Sequence, residues 1–452
     1  MFVDTHAHLF YQNFKGDLDT IIQRAKDAHV DYIIVPSTDF KTAKHTLDLC
    51  EKYDIVYGAV GIHPHDTKDW DNRFLGNIEE IAKHDKIIAV GEIGLDYYYD
   101  YSPKEDQIRA FKDQIELALK LNLPVIVHNR EADEDILEII SSYCGTGLKA
   151  QFHCFGSSIE NARKLIMQHH FLSFTGNITF KKSEELQNVL KKVSLEHLLL
   201  ETDSPFMTPV PHRGMRNEPA YVKLIAQKIA EVHDMQLADI ARVTSFNAFR
   251  MFGIGSLPKT SFTYKIGNAL YINMTNRCNA DCVFCRRKEE PFIKGYNLKM
   301  SKSEEPPVEV YIKEIGNPQQ YSEIVFCGFG EPTLRWEEVK QIAAYVKKMN
   351  GKTRLDTNGH GNIINKRDIT PEMKELFDTV SISLNTADQE QYAEIMGVEQ
   401  NMFTEAINFA QKAKPNVSKV IMTLVSYDNI DIGRTKKFVE DIGAEFRLRE
   451  YF

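Results

Sequence analysis

No run of apolar residues in this sequence approaches the roughly 20 needed to cross a bilayer, which excludes a helical membrane protein. The first 254 residues contain no short-period repeat and no low-complexity tract, so a solenoid is excluded there as well. No leader is visible: the chain opens directly on a strand, and the cytoplasm is the expected compartment. Cysteine is scarce, with seven in 452 residues. That odd count in a reducing compartment argues against a disulfide framework. A surplus of basic residues is also missing. The formal net charge of −9 speaks against a broad nucleic-acid footprint built of Lys and Arg. It leaves room for phosphate recognition in which bound metal ions supply the positive charge. The one dense charge run, residues 286–305, mixes both signs and reads as a solvated loop.

What remains is a globular composition, 43% hydrophobic and 26% charged, in a chain too long for one ordinary core. Two or three domains are expected. The first 254 residues carry eight short β-type runs: Phe2–His8, Tyr32–Ser37, Val56–His63, Ile87–Asp96, Pro124–Arg130, Lys149–Phe155, Leu172–Asn177 and Leu198–Pro205. The stretches between them have apolar residues at helical spacing. One begins with Ser102, Pro103 and Glu105, the pattern of a capping box with Pro at the first helical position. A last helix, about 236–251, is expected to pack outside the rest. Eight strand–helix units predict a (β/α)8 TIM barrel, an α/β fold whose chemistry gathers at the C-terminal strand ends.

Polar residues sit at those ends. The first strand ends in His6 and His8, whose alternation puts both imidazoles on one side. Taken alone the pair is weak, since H-x-H arises roughly half a time by chance in a chain of this composition. The third strand ends in Gly61-Ile62-His63-Pro64-His65, the fourth in Gly91-Glu92-Ile93-Gly94-Leu95-Asp96 and the fifth in His128-Asn129-Arg130. The sixth gives His153 and the eighth Glu201-Thr202-Asp203-Ser204-Pro205. Six of these, His6, His8, Glu92, His128, His153 and Asp203, form a set of imidazoles and carboxylates aimed at one place. A carboxylate such as Glu92 can bridge two cations, and two cations together can serve the attacking water and the leaving oxygen of a phosphate ester.

The words DTHAHL, GIHPH, GEIGLDYY, PVIVHNR, QFHCFGSS, LLLETDSP and RGMRNEP occur in the order found in TatD-family metal-dependent deoxyribonucleases, and residues 1–254 resemble that family throughout. The resemblance implies two divalent ions (Mg, Mn or Zn) held by His6, His8, Glu92, His128, His153 and Asp203. It implies stepwise hydrolysis of DNA, often from the 3′ end. His63 and His65 are then expected beside the scissile phosphate, with Arg130 and Arg213 on phosphate oxygens. Asp203, which can both ligate and take a proton, is the expected base for the attacking water.

Gly253, Gly255, Pro258 and Gly267 mark a break, and 255–268 is expected to be a short linker. Beyond it, strands are expected at Ala269–Thr275, Glu323–Phe329, Thr353–Gly359, Thr379–Asn385, Lys419–Val425 and Glu445–Tyr451, with helices at about 307–316, 335–350, 371–377, 388–396, 401–413 and 431–441. Six such units over 269–452 predict an open, partial (β/α)6 barrel. Directly after its first strand stand Cys278, Cys282 and Cys285. That spacing should occur by chance only about twice in a thousand such chains. Three thiolates on one loop suit three corners of a 4Fe-4S cluster. A zinc site would want a fourth ligand nearby in sequence, and none is there.

This second half resembles the radical S-adenosylmethionine enzymes, through C-x3-C-x2-C after the first strand and through CGFGEPT, RLDTNG, DITPEM and SISLN. It is close to the small radical enzymes linked to TatD-type nucleases. The resemblance implies S-adenosylmethionine bound at the open iron and cleaved to a 5′-deoxyadenosyl radical, with an electron donor such as flavodoxin or ferredoxin. Gly328, Gly330 and Glu331 are expected to receive the methionine amino group, and Ser383 and Asn385 to touch the cofactor. Arg447 and Arg449 on the last strand are candidates for the barrel mouth. The resulting expectation is a two-headed enzyme acting on DNA, another nucleic acid or a nucleotide. The alternatives are a metal-dependent ester or amide hydrolase, such as an aminoacyl-tRNA deacylase, or one half serving only as a binding or scaffold module.

Overall fold

The computed structural model describes residues 1–71, 73–427 and 429–449. The chain divides into two compact units, Met1–Leu257 and Pro258–Phe452. In the first, eight parallel strands follow one another around a single sheet: β1 (Phe2–Asp4), β2 (Val30–Pro36), β3 (Val56–Val60), β4 (Ile87–Asp96), β5 (Val125–Arg130), β6 (Ala150–Phe152), β7 (Phe171–Phe174) and β8 (Leu198–Leu200). The ring closes where Thr5 N–H donates to the Leu200 carbonyl (2.9 Å) and Asp203 N–H to the His6 carbonyl (2.8 Å). The Asp4 carboxylate accepts from both the amide and the hydroxyl of Thr202 across the same seam. Strands covered on both faces read as near-continuous apolar runs; all ten residues of β4 are buried.

Alternation along the strands sorts the barrel interior into layers. Val3, Ile34, Ala59, Ile126, Phe171 and Leu199 form one apolar layer. The last helix of the unit, Leu237–Phe252, sends Ala248, Met251 and Phe252 into that cluster. It therefore plugs one end of the barrel instead of lying only outside it. One step further toward the C-terminal strand ends the inward residues turn polar: Gln151 donates to Thr5, Ser173 and Glu201 in one fully buried network. The next step is the rim that carries the histidines. The expected capping box at Ser102 is not formed. The helix runs Lys104–Leu121 with no side-chain cap, because the Ser102 hydroxyl donates to the His65 carbonyl (2.9 Å) instead.

In the second unit, β9 (Thr263–Ile266) runs antiparallel to β10 (Ala269–Asn273), so part of the stretch read as linker belongs to this sheet. A small hairpin follows, β11 (Phe292–Ile293) and β12 (Tyr296–Asn297). Then come β13 (Ile324–Cys327), β14 (Thr353–Thr357), β15 (Thr379–Ser383), β16 (Lys419–Val425) and β17 (Glu445–Arg449). The sheet order is β17-β16-β15-β14-β13-β10-β9, open at both edges and parallel from β10 to β17. That is the expected partial α/β barrel with one strand added. The expected end of the last strand, residues 450–451, lies outside the described residues. The pattern read as a helix at 371–377 is a 3-10 turn, Thr370–Met373. No helix among the described residues is long and apolar enough to cross a membrane.

Each unit has its own large core, so the fragment 1–257 is expected to fold alone. Its urea unfolding should be a single cooperative transition by circular dichroism. A fragment that is soluble but melts without cooperativity would place the boundary elsewhere.

Candidate dimetal centre and cysteine loop

The six strand-end ligands expected from sequence converge at one rim, and they do so as two sets sharing one residue. His6 Nε2 and His8 Nε2 are 3.1 Å apart. Glu92 Oε2 lies 3.3 Å and 3.5 Å from them, and Asp203 Oδ1 lies 3.9 Å and 3.6 Å from them. Glu92 Oε1 points the other way. It is 2.8 Å from His128 Nδ1 and 2.8 Å from His153 Nε2, which are themselves 3.1 Å apart. His63 Nε2 stands 3.5 Å from the same oxygen. Atoms sharing one cation at about 2.0–2.2 Å are separated by about 2.8–3.6 Å in octahedral or tetrahedral arrangements. Every separation given except the 3.9 Å between His6 and Asp203 falls in that range, and the mixed nitrogen and oxygen donors do not choose among Mg, Mn and Zn.

Local structure explains the aim of Glu92. Between Val90 and Ile93 the pairing of β4 with β5 slips by one residue, and such an irregularity re-aims a side chain. Glu92 N–H donates to the Ser37 carbonyl, which fixes the turn. Two residues on, Gly94 has φ +143°, and a Cβ there would lie 2.0 Å from the carbonyl oxygen of His128. Only glycine fits that position beside a ligand-bearing strand.

Asp96, at the end of the same strand, was not singled out in the sequence. Its Oδ2 is 3.1 Å from His128 Nε2 and 2.8 Å from His65 Nε2, while Oδ1 accepts the amides of Tyr98 and Tyr99. It fixes the ring whose opposite nitrogen faces Glu92, the usual role of a carboxylate behind a metal-binding histidine. The available signal was its place, a strand-end carboxylate four residues after Glu92.

Burial and neighbouring charges set the protonation states. Burial lowers the pKa of His6, His8 and His63, the last to about 4, leaving neutral imidazoles ready to ligate. Burial works in the same direction on His128, but hydrogen bonds to Asp96 and Glu92 outweigh it and raise this group to about 9. A cation at His128 must therefore expel a proton. Burial raises Glu92, yet the surrounding His153, His6 and His63 hold its carboxyl well below the ordinary range. Asp203 is pushed well above its usual value, first by burial and then by the charge of Glu92. One layer below, fully buried Glu201 accepts from Cys154, Gln151 and Ser173 and is also raised, mainly by burial.

His65 belongs to the same rim through Asp96. Arg130 is exposed, its guanidinium 4.1 Å and 4.8 Å from the ring centres of Tyr98 and Tyr99. Arg213, also exposed, lies over Phe180 at 4.1 Å.

In the second unit, Cys278, Cys282 and Cys285 are free thiols on the loop after β10. The Gly328–Glu331 turn runs beside the base of that loop: Gly330 N–H donates to Thr275 O and Glu331 N–H to Arg277 O. A Cβ on Gly330 would lie 2.3 Å from the Arg277 carbonyl oxygen, so the motif needs its small residue for this approach. The loop's far side is held by Asp281 and Val283, whose amides donate to Met396 and Ile395. Burial raises the Cys282 thiol to about 12, and Cys278 and Cys285 add to the effect. Asn358 Nδ2 and Arg287 Nη1 stand 3.8 Å from Cys278 Sγ and 3.9 Å from Cys285 Sγ. Three thiols with N–H donors around them suit an iron–sulphur cluster.

Glu331 is at the expected rim but almost wholly buried, accepting from Thr333, Thr357 and Asn358. Asn385 is likewise engaged, donating toward Met396 Sδ and accepting from Val425 N–H. Gly328 has φ +130°, and Ser383 is half-buried at the end of β15.

The comparisons divide at the same place. A family model described as TatD related DNase matches residues 3–253, and one described as the Radical SAM superfamily matches residues 272–439. The uncharacterized metal-dependent hydrolase YabD of Bacillus subtilis is 43% identical over 254 residues, 56% of this chain and 100% of that protein. The 3′-5′ ssDNA/RNA exonuclease TatD of Shigella flexneri is 31% identical over 257 residues, 56% of this chain and 98% of that protein. Among solved structures, the Escherichia coli TatD homolog YJJV superposes with a TM-score of 0.54 at 29% identity, covering 56% of this chain and 98% of that one.

The steric position of Gly94 generates a direct expectation. Gly94→Ala should displace the His128 strand and weaken metal binding at the Glu92–His128–His153 set by roughly ten- to a hundredfold, the range for disturbed ligand support. The His6–His8 set should be less affected. Metal titration by calorimetry, giving two wild-type affinities, checks whether only one of them moves.

Proposed function

Because the chain belongs to the TatD-related DNases through its first unit and carries a radical SAM domain in its second, we propose that it hydrolyses phosphodiester bonds of DNA in one unit and performs radical chemistry in the other. The observation that carries the first half is the division of Glu92, one oxygen to each ligand set. A named relative acts as a 3′-5′ exonuclease on single strands, which supports removal of nucleotides from the 3′ end here. His6, His8, Glu92 and Asp203 would hold one cation, and Glu92, His128 and His153 the other. When bound, the pair supplies Lewis acidity and neutralises charge on the phosphate.

The chain's own groups do the rest. Asp203, which can both ligate and take a proton, accepts the proton of the attacking water. Neutral His63, and His65 aligned by Asp96, lie where they can hydrogen-bond the phosphate or the departing oxygen. Arg130 offers charge-assisted hydrogen bonds to phosphate oxygens, and Arg213 extends that reach. Burial of His63 and Asp203 strengthens their contacts, while Arg130 and Arg213 act from the exposed edge.

In the second unit Cys278, Cys282 and Cys285 would hold a 4Fe-4S cluster. Gly328, Gly330, Glu331, Ser383 and Asn385 would frame the S-adenosylmethionine, with Glu331 keeping the Asn358 backbone in place beside it. The bound group supplies reductive cleavage of the sulphonium, with 5′-deoxyadenosine as an end product; the electron comes from a donor such as flavodoxin or ferredoxin. A reducing cytoplasm suits seven free cysteines.

Glu92→Ala removes a ligand from both sets at once. Its manganese-dependent cleavage of a single-stranded oligonucleotide should fall by at least about a thousandfold, as expected for losing several kcal/mol of charge stabilisation. Unchanged cleavage, or a wild-type preference for an aminoacyl ester over DNA, overturns the nuclease reading. For the other unit, protein reconstituted without oxygen should form 5′-deoxyadenosine from S-adenosylmethionine and dithionite, and Cys282→Ala should not. Product from the variant would rule out the cluster.

A further inference from the structure

Aromatic rings bracket the metal rim on two sides, and no step above uses them. On one side His8 is ringed by Tyr11 at 5.4 Å and Phe206 at 6.5 Å, which are 5.6 Å from each other. On the other, His65 meets Tyr101 at 4.8 Å and Tyr99 at 5.4 Å, and those two tyrosines stack at 5.4 Å. His8 belongs to one ligand set. His65 reaches the other through His63, 4.3 Å away. The two aromatic groups therefore flank the two ligand sets, one beside each.

Three of these four side chains are exposed, and Tyr11 is half-buried. Phe206 is 50% exposed, Tyr99 37% and Tyr101 60%. A half-exposed Phe has no polar atom to justify its place, and grouped exposed apolar surface marks a binding site. The loop carrying the tyrosines is also built, not loose. Asp96 accepts the amides of Tyr98 and Tyr99 with the same carboxylate that orients His128 and His65. Placement of the rings is thereby tied to placement of a metal ligand. The formal net charge of −9 speaks against a long basic track along a phosphate backbone. Stacking is the alternative, because every nucleobase has a π-face.

We propose that the two groups are nucleobase seats: Tyr101, backed by the stacked Tyr99, takes one base, and Tyr11 and Phe206 stack the base on the other side of the scissile phosphate. The occupant is the unpaired end of a nucleic-acid strand, since a base inside a duplex has its faces covered by its neighbours. Recognition is tolerant of sequence and demands splayed, single-stranded bases. This inference rests on the nuclease reading of the same rim.

The test uses the manganese-loaded full chain and a short single-stranded DNA with phosphorothioate linkages and 2-aminopurine at its last two 3′ positions. Binding should quench the fluorescence of both bases. Base–aromatic stacking corresponds to roughly five- to a hundredfold in affinity per base. Y99L/Y101L and F206L should each weaken binding by a factor in that range and relieve quenching at one position. Y99F/Y101F should retain both affinity and quenching, which separates lost stacking from a disturbed fold. Absent binding, binding without quenching, or leucine variants that behave as wild type would each overturn the seats. Cleavage without quenching removes the seats and leaves the nuclease; quenching without cleavage does the reverse.

Discussion

The first unit depends on one carboxylate having two faces. Glu92 is almost fully buried, a place where a negative charge is costly unless it is matched. The surrounding imidazoles oppose that cost and hold its carboxyl well below the ordinary range. Each oxygen then addresses a different set, His6, His8 and Asp203 on one side, His128, His153 and His63 on the other. A single chemical group thus links the two candidate ligand sets.

The surrounding barrel can be understood as support for that group. The slip in β4 aims Glu92, Gly94 lets β5 pass closely enough to present His128, and the seam between β1 and β8 brings His6 and Asp203 into hydrogen-bonded contact. Asp96 extends the same logic outward, from a metal ligand to the tyrosine loop. The interior changes from apolar to polar along the barrel axis. An apolar layer stabilises one end, a polar hydrogen-bonded layer around Gln151 and Glu201 follows, and the candidate ligands come last.

The second unit solves a different problem with similar means. Its cysteine loop has little regular structure, yet it is pinned on one side by the glycine turn at 328–330 and on the other by the amides that donate to Ile395 and Met396. Glu331 stands behind it as a buried hydrogen-bond hub, not as an open side chain. Loops that carry chemistry work best on such rigid supports.

Strand period, helical spacing and strand-end chemistry were local properties, and so the sequence alone determined the eight- and six-unit patterns, the six metal-ligand candidates and the three cysteines. Local pattern failed where a distant partner decided the outcome. Ser102 left its expected cap for the carbonyl of His65. The stretch read as linker became β9 because β10 offered an unpaired edge. Asp96 passed unnoticed because its partners, His128 and His65, lie 32 and 31 residues away. The division of Glu92 between two sets and the bracketing of the rim by aromatic rings were likewise decided only by tertiary structure. Both are relations between strands and loops remote in sequence, and no spacing along the chain encodes the distance between such groups once the barrel closes.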